Sequence, residues 1–284
     1  MKEKIFLTGG TGFIGKELLP LISKNNKVKC LIRKGSNIES INNFKINCVF
    51  GDLMDKESFS SHLNKKDIVI HLATSHEKGK EDKSFICSRN LIEVCKDKKI
   101  KKFIFISSMA ANRKSLDDYG KSKLKIEELI KNSGLDYIIL RPSIIYNENN
   151  LSLIGKSLKS IPFIIPIIGN GKYKMNPVHI KDVVKSINAT IRTQQKNKIY
   201  DIAGAKNISF NEIIEICKKR FKIKKLKVHI PISLVLLICK FIPLLSPEAI
   251  KGVNEDTQAD ITELKKDLSI NPISFEEGIK NANI

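Results

Sequence analysis

Short runs of β-branched and aliphatic residues alternate along this chain with longer stretches whose apolar positions recur every three or four residues. The short runs predict strands at residues 4–7, 28–32, 47–50, 68–72, 103–107, 137–141 and 199–202. The longer stretches predict helices that begin near Phe13, Lys56, Lys83, Asp118, Ile180 and Ser209. Strands that are apolar throughout, each followed by an amphipathic helix, form a parallel sheet covered by helices on both faces, an α/β architecture. The alternation weakens after Arg141-Pro142, where a stretch rich in Ile, Pro and Gly runs to Gly171 without a clear helix or strand period. There a substrate-binding appendage is expected to leave the sheet, and the helix-patterned, strand-poor C-terminal part is expected to complete it. The division expected is a sheet domain over 1–145 that also receives 176–205, with 146–175 and 206–284 as a small, mostly helical region.

The first strand runs into Thr8-Gly9-Gly10-Thr11-Gly12-Phe13-Ile14-Gly15, which opens the first helix. Glycines let the chain turn sharply and let a pyrophosphate approach the unpaired N–H groups at a helix N-terminus, whose partial positive charge suits it. Gly9, Gly12, Phe13, Ile14 and Gly15 are therefore candidate dinucleotide contacts, and the doubly wound sheet reads as Rossmann-type. At the end of the second strand stands Leu31-Ile32-Arg33-Lys34, with no carboxylate to grip ribose hydroxyls. Arg33 offers a planar fork to a 2′-phosphate, which favours NADP(H) over NAD(H).

Composition narrows the partners. The 284 residues carry 50 basic and 30 acidic side chains, a formal charge of +20. Lysine dominates the basic set, in keeping with a general bias toward Lys, Ile and Asn, and no basic stripe interleaved with aromatics appears, so nucleic acid is not expected as a partner. Six scattered cysteines without a C-x-x-C pair or partnered histidines point to buried thiols in a reducing compartment, and metal binding is not expected. The first residues pass directly into a strand, so no secretory leader is read and a cytoplasmic location is expected. The aliphatic stretch from Ile230 to Leu245 is interrupted by Pro231, Lys240 and Pro243 and is too short to span a bilayer. It reads as a buried or substrate-covering helix, with peripheral membrane contact as the alternative.

Tyr119-Gly120-Lys121-Ser122-Lys123 sets a phenol and an ammonium four residues apart on one helix face. A neighbouring ammonium favours phenolate and would bring the tyrosine toward neutrality, where it could exchange a proton with an alcohol or carbonyl; Lys123 could also reach a cofactor ribose. Upstream, Phe103-Ile104-Phe105-Ile106-Ser107-Ser108 ends a strand with hydroxyls at the edge where ligands sit in open α/β sheets, so Ser108 could bond the reacting oxygen.

In that order, the glycine loop, strand-end Ser108 and Tyr119-x-x-x-Lys123 resemble the extended branch of the short-chain dehydrogenase/reductase superfamily, including its NAD(P)-dependent epimerase/dehydratase proteins. The resemblance covers most of the chain. It implies that Asp52 and Leu53, after the third strand, lie at the adenine, that Leu72, Ala73 and Thr74 line the cofactor, and that Pro142 and Ile145 lie beside the nicotinamide. His179 and Asp182, in a further family landmark, are expected to be structural. A nucleotide sugar is the substrate class implied, with an apolar carbonyl compound as the alternative, and a homodimer is a family expectation.

Departures refine this. Met109-Ala110-Ala111 after Ser108 lacks the Asp-Glu pair of sugar dehydratases, which disfavours water elimination. Ser84 stands where many relatives carry an asparagine. The short interval from Ser108 to Tyr119 and the basic second strand most resemble a subgroup related to the nucleotide-binding accessory subunit of respiratory complex I. That subgroup raises an alternative to an oxidoreductase or epimerase: a noncatalytic NADPH-binding sensor or assembly subunit.

Overall fold

The computed structural model describes residues 2–74, 82–113, 116–239 and 256–284. The chain runs through β1 (Lys4–Thr8), α1 (Phe13–Ile22), β2 (Lys27–Ile32), β3 (Asn47–Phe50), α2 (Glu57–Ser60), β4 (Ile68–His71), α3 (Lys83–Lys98) and β5 (Lys102–Ile106). After a 3-10 turn at Met109–Asn112 come α4 (Asp118–Lys131), β6 (Tyr137–Pro142), β7 (Ile145–Tyr146), α5 (Glu148–Ser160), β8 (Ile164–Ile168), β9 (Lys174–Met175) and β10 (Val178–His179). The remainder is α6 (Ile180–Arg192), β11 (Lys198–Ile202), β12 (Ile208–Ser209), α7 (Phe210–Phe221), β13 (Leu226–Ile230), α8 (Ile232–Cys239), α9 (Thr262–Leu268) and α10 (Phe275–Asn281).

The seven predicted strands form one sheet in the order β11-β6-β5-β4-β1-β2-β3, every neighbour parallel. Helices cover both faces, as a parallel sheet requires: β4 and β5 are buried at every position. On one face α1 and α6 close a core containing Leu7, Leu18, Ile104, Leu140 and Val183. On the other, α3 and α4 close a core containing Phe6, Phe59, Phe103, Phe105 and Ile126.

The stretch expected to lack periodicity in fact holds helix α5. Asn147 caps it by accepting from the amide of Asn150, and Leu151, Gly155 and Leu158 face inward. Gly155 broke the apolar pattern because a Cβ there would lie 2.5 Å from the Phe221 ring; the close packing of α5 on α7 demands the glycine. Two strands, β12 and β13, likewise interrupt the C-terminal part read as strand-poor. A third core joins α5, β8, α7 and α10 through Leu158, Ile165, Ile167, Cys217 and Ile279.

The C-terminal part is shared between cores. Leu264 and Leu268 of α9 pack into the first core beside α6 and β11, whereas Phe275 and Ile279 of α10 enter the third. Leu264→Ala, which opens a fully buried site, is expected to cost ~2–5 kcal/mol of stability, measured by urea unfolding.

Candidate functional site

Sheet order fixes where a ligand can enter. The chain leaves β1 toward β2 on one side and returns to β4 on the other, so the connections after β1 and β4 diverge and open a crevice at the carboxyl ends of these neighbours. Gly9 stands there with φ +75°, and a Cβ on it would lie 2.7 Å from the amide nitrogen of Ala73. A Cβ on Gly15 would lie 2.4 Å from the Gly9 carbonyl oxygen, so α1 can start this close to β1 only with glycine at that position. Gly12, the N-cap, supplies no side chain to the first-turn amides, and that turn holds no acidic residue. A helix N-terminus left uncapped at the mouth of a crevice is suited to a pyrophosphate. Phe13 is exposed at this mouth and Ile14 half-buried. The cradle therefore fits the nicotinamide dinucleotide that the glycine spacing implies.

The remaining predicted contacts follow the carboxyl ends of other strands of the same sheet. Arg33 is exposed just past β2. Asp52 follows β3, its carboxylate accepting from the Met54 amide, and Leu53 beneath it is buried with its carbonyl held by Asn90. Leu72, Ala73 and Thr74 follow β4, and Pro142 and Ile145 lie at and beyond the end of β6. Ser84, half a turn into α3, lies 3.3 Å from the Thr74 hydroxyl.

Beneath the crevice runs a buried polar chain. Ser88 donates its hydroxyl proton to the Ser84 carbonyl, so its oxygen accepts from Nε2 of His71 at 2.9 Å. Nδ1 of His71 then accepts from the Thr8 hydroxyl at 2.7 Å, which fixes the neutral Nε2–H tautomer. Complete burial, with the Lys123 ammonium nearby, pushes the imidazole down to about 3. His71 thus ties the ends of β1 and β4 together without charge. His179 and Asp182 also hold structure: His179 caps α6 by accepting from the Lys181 amide, and Asp182 accepts from the Ile273 amide.

Ser108, Tyr119 and Lys123 come together at the end of β5. Ser108 caps the 3-10 turn by accepting from the Ala110 amide and hydrogen-bonds Tyr119. Lys123 is buried, its Nζ donating to the Ile106 carbonyl at 3.0 Å and lying over the rings of Phe105 and Tyr119. Burial lowers Lys123 to about 8, against the opposing pull of Glu127. The phenol differs from expectation: burial and Asp117 push it above its ordinary range, and only the Ser108 hydrogen bond pulls it down. Lys123 sits 5.7 Å from the ring centroid and spends its proton on a backbone carbonyl.

Glu127, absent from the predicted set, extends the same helix face one turn further. It is fully buried, accepts from Ser107 at 2.5 Å, and forms a two-point pair with Arg141 of β6 at 2.9 and 2.5 Å. Its signal was the third step of the Tyr119, Lys123, Glu127 spacing. A cavity of about 680 Å³ is lined by Met109, Asn112 and Arg113, which follow Ser108 in the chain, and by Tyr173, Ile232 and Asp256 among others. Nε of Arg113 is buried without a hydrogen-bond partner. No motif marked these residues, because the fold assembles the cavity from segments distant in sequence.

A model of the NAD(P)H-binding family matches residues 9–158. The chain is 25% identical to the UDP-glucose 4-epimerase of Vibrio cholerae over 99% of its own length and 94% of that protein's. It is 22% identical to the mitochondrial NADH dehydrogenase (ubiquinone) 1 alpha subcomplex subunit 9 of Dictyostelium discoideum over 73% of its own length and 61% of that protein's. A solved structure of UDP-glucose 4-epimerase with UDP-glucose from Thermotoga maritima superposes with a TM-score of 0.77 at 22% identity, covering 98% of this chain and 97% of that one.

His71 generates a pH prediction. An unfolded chain protonates this imidazole below about 6.5 whereas the folded chain resists until about 3, so acid favours unfolding across that window. His71→Gln keeps a donor and an acceptor but does not titrate. Urea unfolding is expected to show the variant ~1–3 kcal/mol less stable at neutral pH, with a shallower loss than the parent between pH 7 and 5.

Proposed function

Because the chain belongs to the NAD(P)H-binding family, with relatives among the epimerase/dehydratase proteins of the extended short-chain dehydrogenase/reductase type, we propose that it is an NAD(P)-dependent oxidoreductase or epimerase acting on an alcohol or ketone carbon of a nucleotide sugar. The observation that carries this reading is the convergence of Ser108, Tyr119 and Lys123 at the end of β5, in the same sheet that carries the glycine cradle after β1. A bound nicotinamide supplies the hydride acceptor and donor.

In this reading the chain's own residues handle the proton and the substrate. Ser108 holds the reacting oxygen beside Tyr119, and the Tyr119 hydroxyl exchanges the proton that accompanies hydride transfer. Since burial keeps Tyr119 protonated, the resting phenol is the form that donates to a ketone oxygen, and alcohol oxidation first requires its deprotonation. Glu127, anchored by Arg141 and Ser107, balances the Lys123 ammonium from below and keeps the α4 face in place. Arg113 lines the cavity, and its guanidinium suits the diphosphate of a nucleotide sugar. Arg33 favours NADP(H) over NAD(H) through the ribose 2′-phosphate.

A turnover screen with NADP and NADPH against UDP-sugars and apolar carbonyl compounds tests this, following nicotinamide absorbance and sugar isomer ratios. Tyr119→Phe is expected to lower kcat by about 10²–10⁴-fold with nucleotide binding retained. Tight NADPH binding without turnover on any of the panel would overturn the enzyme reading in favour of a sensor or assembly role. Alcohol oxidation is expected to speed up as pH rises above neutral while ketone reduction does not, a direction set by the raised phenol. Arg113→Met is expected to raise KM by about tenfold with kcat little changed, from loss of a charge-assisted hydrogen bond.

A further inference from the structure

Outside the site, the parallel ribbon of β8 and β13 has two unlike faces. Ile164 pairs with Leu226, Pro166 with Val228 and Ile168 with Ile230, so one face is apolar at all six positions. Paired residues of a parallel ladder project to the same side. Ile165 and Ile167 on the other face are buried in the third core, so folding already has its apolar contribution from this ribbon. Four of the six outward positions, Ile164, Pro166, Leu226 and Val228, stay in water: Leu226 is 76% exposed, and Phe163, immediately before β8, is 88% exposed at φ +60°. Leu234 and Leu237 of α8 are exposed too, while Val235 of the same helix packs against Ile168 and Ile230 and joins the two apolar surfaces.

Charge identifies the occupant. Residues 149–172 and 216–239, which contain both strands, hold ten Lys and Arg and no Asp or Glu. Lys227 and Lys218 pair with Glu215, but Lys156, Lys159, Lys222 and Lys224 are exposed. Lys225 donates to the carbonyls of Leu158 and Lys159, which brings the start of β13 and the Lys159 end of α5 together beside Phe163. We propose that this ribbon face docks on an anionic lipid bilayer, Phe163 and Leu226 entering the interface and the lysines meeting the headgroups. A second copy fits worse, since a two-fold contact would set the same basic rims against each other. Ile232, at the start of α8, also lines the cavity beside Ser108, so docking would hold that cavity next to the membrane surface. The proposal stands on the ribbon alone and does not depend on the oxidoreductase reading.

Co-sedimentation of the full chain with phosphatidylglycerol–phosphatidylcholine vesicles, against pure phosphatidylcholine vesicles, tests it. Binding is expected to the anionic vesicles at low ionic strength and to weaken with added salt. The double variant Phe163→Ser, Leu226→Ser is expected to bind at least tenfold more weakly with an unchanged thermal melt, since both side chains are exposed. Lys159→Gln and Lys224→Gln are each expected to cost about fivefold. Failure of the parent to bind anionic vesicles at low salt, or undiminished binding by the double variant, would overturn the proposal. A parent dimer in sedimentation velocity that the double variant dissolves, without vesicle binding by either, would assign the face to a second copy.

Discussion

Backbone packed on backbone at Gly9 governs this molecule. The approach of Gly9 to Ala73 brings the ends of β1 and β4 so close that the turn after β1 tolerates no Cβ at position 9, and the helix after β1 begins beside the crevice. His71 makes the approach durable. Its two ring nitrogens pair with the Thr8 and Ser88 hydroxyls, so the imidazole is buried with both nitrogens satisfied. A charge-bearing link in the same place would need compensation that the apolar surroundings of Phe103 and Phe105 cannot give.

The face of α4 shows how one helix serves both chemistry and framework. Tyr119 lies nearest solvent, Lys123 is buried a turn below and Glu127 a further turn below, fully dehydrated. Because Arg141 and Ser107 satisfy the Glu127 carboxylate, Lys123 sits above a compensated charge rather than an isolated one. The helix is held at both ends, by Asp117 accepting from the Gly120 amide at its start and by Glu127 gripping β6 deeper in the molecule.

Much of this was legible in the sequence for identifiable reasons. The strands of the main sheet announced themselves because burial on both faces leaves the central ones, such as β4 and β5, with apolar runs too short for a helix. Ser108, Tyr119 and Lys123 were found as candidates because their meeting depends only on a strand end and a helix period. The upward shift of the Tyr119 phenol was not legible, since it follows from how packing distributes water and where Lys123 sends its proton. Glu127 and Arg113 escaped for a related reason: each has its surroundings from β6 or from the C-terminal segments, which no local pattern joins to it.

The β8–β13 ribbon also constrains the order of assembly. Its two strands are parallel neighbours, yet α6 and β11, both integral to the main sheet face, lie between them in the chain. Closing the ribbon first would require ordering that long intervening loop with no contacts to reward it. Once β11 has joined β6, the loop is already spent and the remaining gap is short. The topology thus favours an order in which the large sheet serves as a template for the smaller core and the ribbon closes after it.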